Sequence, residues 1–293
     1  MNDVTNEPLP ILPPRERDAH KGDFGRLIIV GGSRGMAGAP AMAGLAALRS
    51  GAGLLSIATP VSTQPLVAGF SPCFMTIPLV EDDYGLLDYA NVVDMLAARE
   101  HFDVWALGPG LGQSEGVTEL VAQLYRDVPR PMVVDADALN AMSHALQRNP
   151  QALAKPAGPR VLTPHPGEFA RLTGVAPGGS MPERAEAVGE LCRRDPSGQT
   201  VVILKGHQSL VGDGERYAVN STGNPGMATG GSGDCLTGVI AGLLGQKLSA
   251  WDAARLGMHL HGLAGDLAAK ELGEVSLIAS DLVTYLPKAF QAR

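Results

Sequence analysis

The sequence lacks the features that mark several large classes of protein. Its three cysteines, Cys73, Cys192 and Cys235, show no C-x-x-C spacing, so neither a disulfide framework nor a zinc site is indicated. With 23 Lys and Arg against 30 Asp and Glu, the formal net charge is −7, which argues against a general nucleic-acid binder. Small phosphorylated ligands are not excluded, because they need only a few local donors.

Targeting and membrane-spanning segments are also missing. The first residues, MNDVTNEPLP, have neither the basic nor the apolar region of a secretion signal. No apolar run approaches the ~18 residues of a membrane span. We therefore expect a soluble, cytoplasmic protein that binds neither nucleic acid nor membranes.

Neither standard nucleotide-binding fingerprint is present. No G-x-x-x-x-G-K-[ST] segment occurs, which excludes a Walker-type P-loop. The glycine-rich segment Gly31–Gly35 follows an expected strand but does not fit G-x-G-x-x-G. A nucleotide would therefore need another architecture.

Short apolar runs alternate with helical segments along most of the chain. The runs are apolar throughout, as expected for strands covered on both faces, and the alternation predicts an α/β fold with a mostly parallel sheet. Residues 1–19 are proline-rich and read as an extended arm, and residues 20–293 as a single domain. Gln208–Val219, with Gly212-Asp213-Gly214 at its centre, predicts a hairpin at a sheet edge. The expected strands are Arg26–Val30, Leu54–Ala58, Phe74–Ile77, Val104–Leu107, Met132–Val134, Val161–Thr163 and Val201–Leu204.

Glycine is abundant and unevenly placed. Sixteen of the 37 glycines fall in five short segments, most of which directly follow an expected strand. Ligands of open parallel sheets bind outside the carboxyl ends of the strands, where glycine lets the backbone approach a ligand. One cluster could be a tight turn, but five at one edge indicate a binding cleft. The segments are 22–38, 108–112, 163–168, 205–206 and 223–233.

The segment Thr222–Asp234 leads into a predicted helix. Apolar residues at 236, 239, 240, 243 and 244 have the spacing of an amphipathic face. The N–H groups of Gly231, Ser232 and Gly233 would then form an anion site at the helix N-terminus. Asp234 could be an ordinary first-turn acid or a general base held against a substrate hydroxyl, and both readings can hold.

Six blocks of the sequence together resemble one family of the ribokinase-like superfamily, the ADP/ATP-dependent NAD(P)H-hydrate dehydratases. The similarity runs from about His20 to the C-terminus, and it implies a three-layer α/β/α fold. GSGD stands where the family usually has GTGD, so Ser232 replaces threonine, which a backbone anion site should tolerate. The blocks are 20–53, LGPGLG (107–112), DADALN (135–140), LTPHPGEFARLTG (162–174), VVILKGHQSLV (201–211) and TGNPGMATGGSGD (222–234).

The resemblance implies a repair reaction on hydrated nicotinamide cofactors, NADHX and NADPHX. The ring hydroxyl of the S epimer is phosphorylated by ADP, or by ATP, and the ring nitrogen then expels phosphate. Asp234 would deprotonate the hydroxyl while the turn Gly231–Gly233 steadies the phosphoryl group. Mg²⁺ should bridge the phosphates, through a water held by Glu168.

The resemblance also implies two half-sites, a separate epimerase protein in the pathway and a tetramer. For the hydrated cofactor it points to Ala39, Gly110, His165 and Asp234. For the adenine nucleotide it points to Lys205, Gly206, His207, Gln208, Ser209 and Gly233. From the residues alone, Asp135, Asp137 and Asn140 could be ligand contacts or turn-formers. His259 and His261 read as structural, because helical residues two apart diverge.

Three functions remain to be separated. The first is the dehydratase, and the second is a kinase of a vitamin-precursor alcohol on the same fold. The third is a catalytically silent nucleotide sensor, against which Asp234 argues, since a pure binder needs no base beside its phosphate site. The sequence does not decide between ADP and ATP, or between NADHX and NADPHX.

Overall fold

Ten strands join in a single sheet. In the computed structural model, which describes residues 1–292, β9 is antiparallel to both neighbours and every other pairing is parallel. The strands are β1 (Asn2–Asp3), β2 (Arg26–Val30), β3 (Leu54–Pro60), β4 (Met75–Leu79), β5 (Val104–Leu107), β6 (Met132–Val134), β7 (Arg160–Leu162), β8 (Thr200–Leu204), β9 (Leu210–Gly212) and β10 (Arg216–Val219). Their order across the sheet is β1-β10-β9-β8-β7-β6-β5-β2-β3-β4.

Helices cover both faces of the sheet. None of the helices within residues 1–292 is long and apolar enough to cross a membrane. They are α1 (Gly38–Arg49), α2 (Gln64–Gly69), α3 (Val92–Ala97), α4 (Glu115–Asp127), α5 (Ala136–Arg148), α6 (Pro166–Thr173), α7 (Met181–Cys192), α8 (Ser232–Gly245), α9 (Ala250–Leu272) and α10 (Ala279–Gln291).

The central strands are apolar throughout because they feed two cores. Successive side chains of a strand point to opposite faces. In β2, Leu27 and Ile29 join the core under α1, α8, α9 and α10, whereas Ile28 and Val30 join the core under α3 to α7. The predicted three-layer α/β/α architecture with a mostly parallel sheet is therefore confirmed.

The ends of the sheet and the helix after Asp234 differ from the sequence expectations. The hairpin forms as β9 and β10, but β1 from the N-terminal arm pairs outside it, so β10 is not the outermost strand. The helix α8 is not amphipathic in the structure. Every residue from Cys235 to Gly245 is buried, because the sheet, α1, α9 and α10 surround it.

The chain order creates a switch point beside β2. From β2 the chain first builds β3 and β4 on one side, and then β5 to β8 on the other. The loops after β2 and β5 therefore diverge at the carboxyl edge, where ligands bind in such sheets. The two loops are in close contact where they leave the sheet. A Cβ on Gly31, after β2, would clash with the carbonyl oxygen of Pro109, after β5.

Candidate functional site

A cavity of about 650 Å³ opens at the carboxyl end of β8, between the segment before α8 and the helix α9. We call it the α8–α9 cavity. Its lining includes all six residues predicted for the adenine nucleotide, namely Lys205, Gly206, His207, Gln208, Ser209 and Gly233. Asn220–Asn224 and His261 line it as well. The four residues predicted for the hydrated cofactor, Ala39, Gly110, His165 and Asp234, do not line this cavity.

The loop after β8 folds back on itself. The Ser209 hydroxyl accepts a hydrogen bond from the Gly206 N–H (3.1 Å) and donates one to the Gly206 carbonyl (2.8 Å). Gly206 has φ 143° and Gln208 has φ 51°, so the loop needs positive φ at two positions. The result is a short loop whose backbone borders the cavity.

The turn before α8 presents backbone N–H groups at a helix N-terminus. Gly231 is the N-cap residue with φ 92°, and Ser232, Gly233 and Asp234 follow as the first turn. The Ser232 N–H is directed at the Thr229 carbonyl oxygen (3.3 Å), so the free donors of the turn come from its glycines. The N-terminal end of this buried helix favours an anion.

Lys205 and Asp135 form a buried ion pair beside this turn. Lys205 Nζ lies 2.7 Å from Asp135 Oδ1, and the Thr237 hydroxyl donates to Asp135 Oδ2 (2.7 Å). Burial alone would raise the pKa of Asp135, but the ammonium of Lys205 holds it below its ordinary value. Both groups border Gly233, where a Cβ would lie 3.4 Å from Lys205 Nζ and 3.7 Å from Asp135 Oδ2.

Asp234 lies among further carboxylates. Burial raises the pKa of Asp234 to about 7, and the negative charges of Asp135 and Asp137 act in the same direction, against Lys205. A carboxyl group with this pKa can accept a proton near neutral pH and release it again. The structure thus gives the predicted base a suitable pKa and the predicted anion turn as its neighbour.

Ala39 and Gly110, predicted for the hydrated cofactor, contact each other. Gly110 has φ 66°, and a Cβ on it would lie 3.1 Å from the Ala39 Cβ. The Ser33 hydroxyl holds the same turn by donating to the Gly110 carbonyl (2.8 Å). Both residues therefore lie at the switch point, where backbone can approach a ligand closely.

His165, also predicted for the hydrated cofactor, is the N-cap of α6. Its Nδ1 accepts hydrogen bonds from the N–H groups of Gly167 (3.0 Å) and Glu168 (3.3 Å). Burial lowers the pKa of His165, and the nearby positive charges of Lys205 and Arg171 lower it further, so the ring is neutral at pH 7. The side chain is half exposed and can still meet a ligand while it caps the helix.

Glu168 is the residue predicted to hold a water of Mg²⁺. Its Oε2 accepts a hydrogen bond from the His165 N–H (2.8 Å) and lies 3.8 Å from Lys205 Nζ. Within residues 1–292 no group of three or more His, Cys, Asp or Glu side chains is arranged to hold a metal ion. One carboxylate suits Mg²⁺ that arrives with a nucleotide and keeps most of its waters. The residues fit that case, and not a dedicated metal cage.

Two residues of α9 were not assigned to the site from the sequence. One of them, His261, lines the α8–α9 cavity, and the other, Asp266, holds the cavity wall in place. His261, interpreted as structural, places its Nε2 2.9 Å from the Ser232 carbonyl oxygen, and burial lowers its pKa to about 4. Asp266 accepts hydrogen bonds from the Gly223 N–H (2.9 Å) and the Asn224 side-chain amide (3.0 Å). The glycines of α9 were the available signal, because glycine inside a helix usually marks a close packing contact.

Comparison with known proteins identifies the family of the chain. A sequence model of the NAD(P)H-hydrate dehydratase family matches residues 27–288. The chain belongs to the NAD(P)H-hydrate dehydratase family. The matched residues extend from β2 into α10 and so include the residues predicted for both half-sites and for the anion turn.

Named relatives lie in the same family. The chain is 39% identical to the ADP-dependent (S)-NAD(P)H-hydrate dehydratase of Neisseria meningitidis serogroup B, over 93% of this chain and 87% of that protein. It is 44% identical to the bifunctional NAD(P)H-hydrate repair enzyme Nnr of Moorella thermoacetica, over 94% of this chain and 51% of that protein. The chain thus spans about half the length of the first curated relatives it matches.

A solved structure of the family shares the fold. The ADP/ATP-dependent NAD(P)H-hydrate dehydratase of Bacillus subtilis, co-crystallised with ATP and Mg²⁺, superposes with a TM-score of 0.79 at 33% identity. The superposition covers 96% of this chain and 94% of the Bacillus protein.

Proposed function

We propose that this chain dehydrates the S epimer of NADHX and NADPHX to the reduced cofactor, in a reaction coupled to ADP or ATP. One observation carries the proposal. A carboxyl group with a pKa of about 7, Asp234, stands in the first turn of α8, next to the α8–α9 cavity in which we expect the nucleotide to bind. A proton acceptor is thus beside the expected position of the transferred phosphoryl group.

The proposed reaction has two steps. In the first, Asp234 takes the proton of the ring hydroxyl while the hydroxyl oxygen attacks the terminal phosphorus of the nucleotide. The bond from that phosphorus to AMP (or to ADP, if ATP is used) breaks. In the second, the ring nitrogen expels the new phosphate ester as inorganic phosphate. The ring carbon next to the one that carried the phosphate then loses a proton, which restores the dihydropyridine ring.

The chain's own groups supply charge stabilisation and position. The glycine N–H donors before α8 face the negative charge that moves with the phosphoryl group. Lys205, whose pKa is raised by the carboxylates of Asp135 and Glu168 against the effect of burial, stays protonated and faces the same turn. Phosphoryl transfer depends mainly on such positioning and charge.

The metal and the nucleotide are part of the proposal. When it is bound with the nucleotide, Mg²⁺ would neutralise phosphate charge, and Glu168 is the residue we expect to hold one of its waters. The relatives named above support ADP as co-substrate, with ATP as the alternative. Supply of the S epimer by a separate epimerase, a tetrameric assembly and a cytoplasmic location stay predictions.

The kinase of a vitamin-precursor alcohol is the less favoured function. It would use the same base and the same anion turn, and it would stop after the first step. The family match and the names of the relatives favour the dehydratase, whose product keeps no phosphate from the nucleotide.

The decisive experiment incubates the protein and Mg²⁺ with NADHX, and in parallel with NADPHX, each with ADP or ATP. We expect the near-ultraviolet absorbance of the reduced nicotinamide ring to return, with release of one phosphate per cofactor. The controls omit nucleotide or protein. A stable product that retains the phosphate transferred from the nucleotide would favour a kinase, and no conversion with either nucleotide would refute the dehydratase.

A further inference from the structure

We infer that Arg171 binds a phosphate group of the hydrated dinucleotide at the edge of the site formed by α5, α6 and the loop after β5. The inference rests on the proposed function, because it concerns how the substrate of that reaction is held. Arg171 belongs to the LTPHPGEFARLTG block, but no role was assigned to it above.

A chain of hydrogen bonds fixes the Arg171 side chain. Its Nε donates to Asn140 Oδ1 (2.8 Å), and the Asn140 amide donates to Asp137 Oδ1 (3.3 Å). Asp137 Oδ2 in turn accepts a hydrogen bond from the Gly112 N–H (2.9 Å). These contacts join α6, α5 and the loop after β5. Within residues 1–292, Nε is the only donor of this side chain that forms a hydrogen bond, which leaves the two terminal amino groups for another partner.

The guanidinium lies next to a residue predicted for the hydrated cofactor. Gly167 separates the two, since a Cβ on it would lie 3.2 Å from His165 Nδ1 and 3.8 Å from Arg171 Nη1. The positive charge of Arg171 is also one of the causes that lower the pKa of His165, after burial and Lys205. The absent side chain at 167 leaves space between the ring and the cation.

The site has more carboxylates than unpaired cations, which favours a cation at the position of Arg171. Lys205 is paired with Asp135 at 2.7 Å, whereas no carboxylate of residues 1–292 forms an ion pair with Arg171. The catalytic region also holds the carboxyl groups of Asp137, Glu168 and Asp234. A dinucleotide adds at least two negative charges, so an unpaired cation at its edge offsets repulsion there. Arginine suits this role, because its planar fork matches phosphate oxygens.

Two phosphate groups could meet Arg171. The pyrophosphate is present in both NADHX and NADPHX, whereas the 2′-phosphate is present only in NADPHX. Comparing the two substrates separates them. A KM rise for both indicates the pyrophosphate, and a rise confined to NADPHX indicates the 2′-phosphate.

The test measures the steady-state kinetics of Arg171→Ala and Arg171→Lys with each substrate. For Arg171→Ala we expect KM for at least one hydrated cofactor to rise about 10- to 100-fold, as for a lost charge-assisted hydrogen bond, with KM for ADP unchanged. Arg171→Lys should recover part of the affinity, since it keeps the charge. Arg194→Ala is the matched control, because Arg194 binds the carbonyl groups of Leu172 (3.1 Å) and Thr173 (3.5 Å) at the end of α6.

The inference fails if Arg171→Ala leaves both KM values within twofold of the wild type. It also fails if Arg194→Ala raises them equally, because the effect would then come from a disturbed α6. If the wild-type protein does not convert NADHX or NADPHX, the proposed function fails instead. Titration of wild type and Arg171→Ala with NADH and NADPH, followed by their fluorescence, then decides the inference, and equal affinities would overturn it.

Discussion

Replacing Asp234 by asparagine should strongly reduce turnover and stabilise the fold at the same time. Burial and neighbouring carboxylates raise the pKa of Asp234 from 3.8 to about 7. The folded protein therefore holds this proton more tightly than the unfolded chain, and ionising Asp234 opposes folding. The cost is absent below pH 3.8, grows as the pH rises to 7, and stays constant above 7. At about 1.4 kcal/mol per pH unit, it reaches at most about 4 kcal/mol.

The assay compares the free energy of unfolding of wild type and Asp234→Asn in urea. The stability gain of the variant should grow from about 1 kcal/mol at pH 4.5 to about 4 kcal/mol at pH 8. Titrating groups that do not interact with Asp234 cancel in the difference, because both proteins contain them. Turnover of the variant should fall by about 10²- to 10⁴-fold, as for a lost general base, while ADP still binds. In the wild type, kcat/KM should fall tenfold per pH unit below about pH 7.

Asp252→Asn is the matched control, because Asp252 occupies the same third position of α9 that Asp234 occupies in α8. Asp252→Asn should keep normal turnover, and its free energy of unfolding is the baseline for an Asp-to-Asn change in the first turn of a helix. If Asp234→Asn were no more stable than the wild type at pH 8, the assignment of a buried, perturbed carboxyl would be wrong. If the variant kept near-normal turnover, the assignment of the base would be wrong.

Three further changes test the surroundings of Asp234. Asp135→Asn removes a negative charge and frees Lys205 to act on Asp234, so the acid limb of the pH–rate profile should move below pH 7; an unmoved limb contradicts this. Asp266→Ala removes the acceptor of the Gly223 N–H in the cavity wall, so KM for ADP should rise about tenfold while kcat stays unchanged. Gly238→Ala places a Cβ 2.0 Å from the Ala43 carbonyl oxygen, so urea unfolding should show a loss of about 1–3 kcal/mol. Equal stability would mean that α1 and α8 can move apart.

The sheet could largely be predicted from the sequence because its strands are buried on both faces. The bounds of β2, β5 and β6 match the expected apolar runs, since nothing but backbone pairing and two cores acts on them. The strand β1 could not be predicted. It consists of two polar residues, Asn2 and Asp3, whose partners Arg216 and Tyr217 lie more than 200 positions along the chain.

The burial of α8 was misread from its spacing. Five apolar positions suggested one apolar face, but no charged residue follows Asp234 up to Gly245, which is typical of a helix buried on all sides. The reason is tertiary. Gly238 and Gly242 let α1 lie directly against α8, with the carbonyl oxygens of Ala43 and Ala47 closest.

The nucleotide residues were easier to predict than the cavity that holds them. Lys205–Ser209 are consecutive and carry a motif, and the structure gathers all of them around the α8–α9 cavity. Their roles in binding stay predictions. The opposite wall depends on Asp266, more than forty positions from Gly223, and on His261 reaching Ser232. Such contacts leave little trace in the local pattern of a helix.

The burial of α8 has a consequence for how the protein loses activity. The part of α8 from Cys235 to Gly245 is enclosed by the sheet and three other helices, so it cannot fray on its own and opens only when the whole domain opens. The amide hydrogens of Cys235–Gly238 should therefore exchange with deuterated solvent as slowly as global unfolding allows. Heat should then inactivate and unfold the protein in a single transition, with no folded but inactive intermediate.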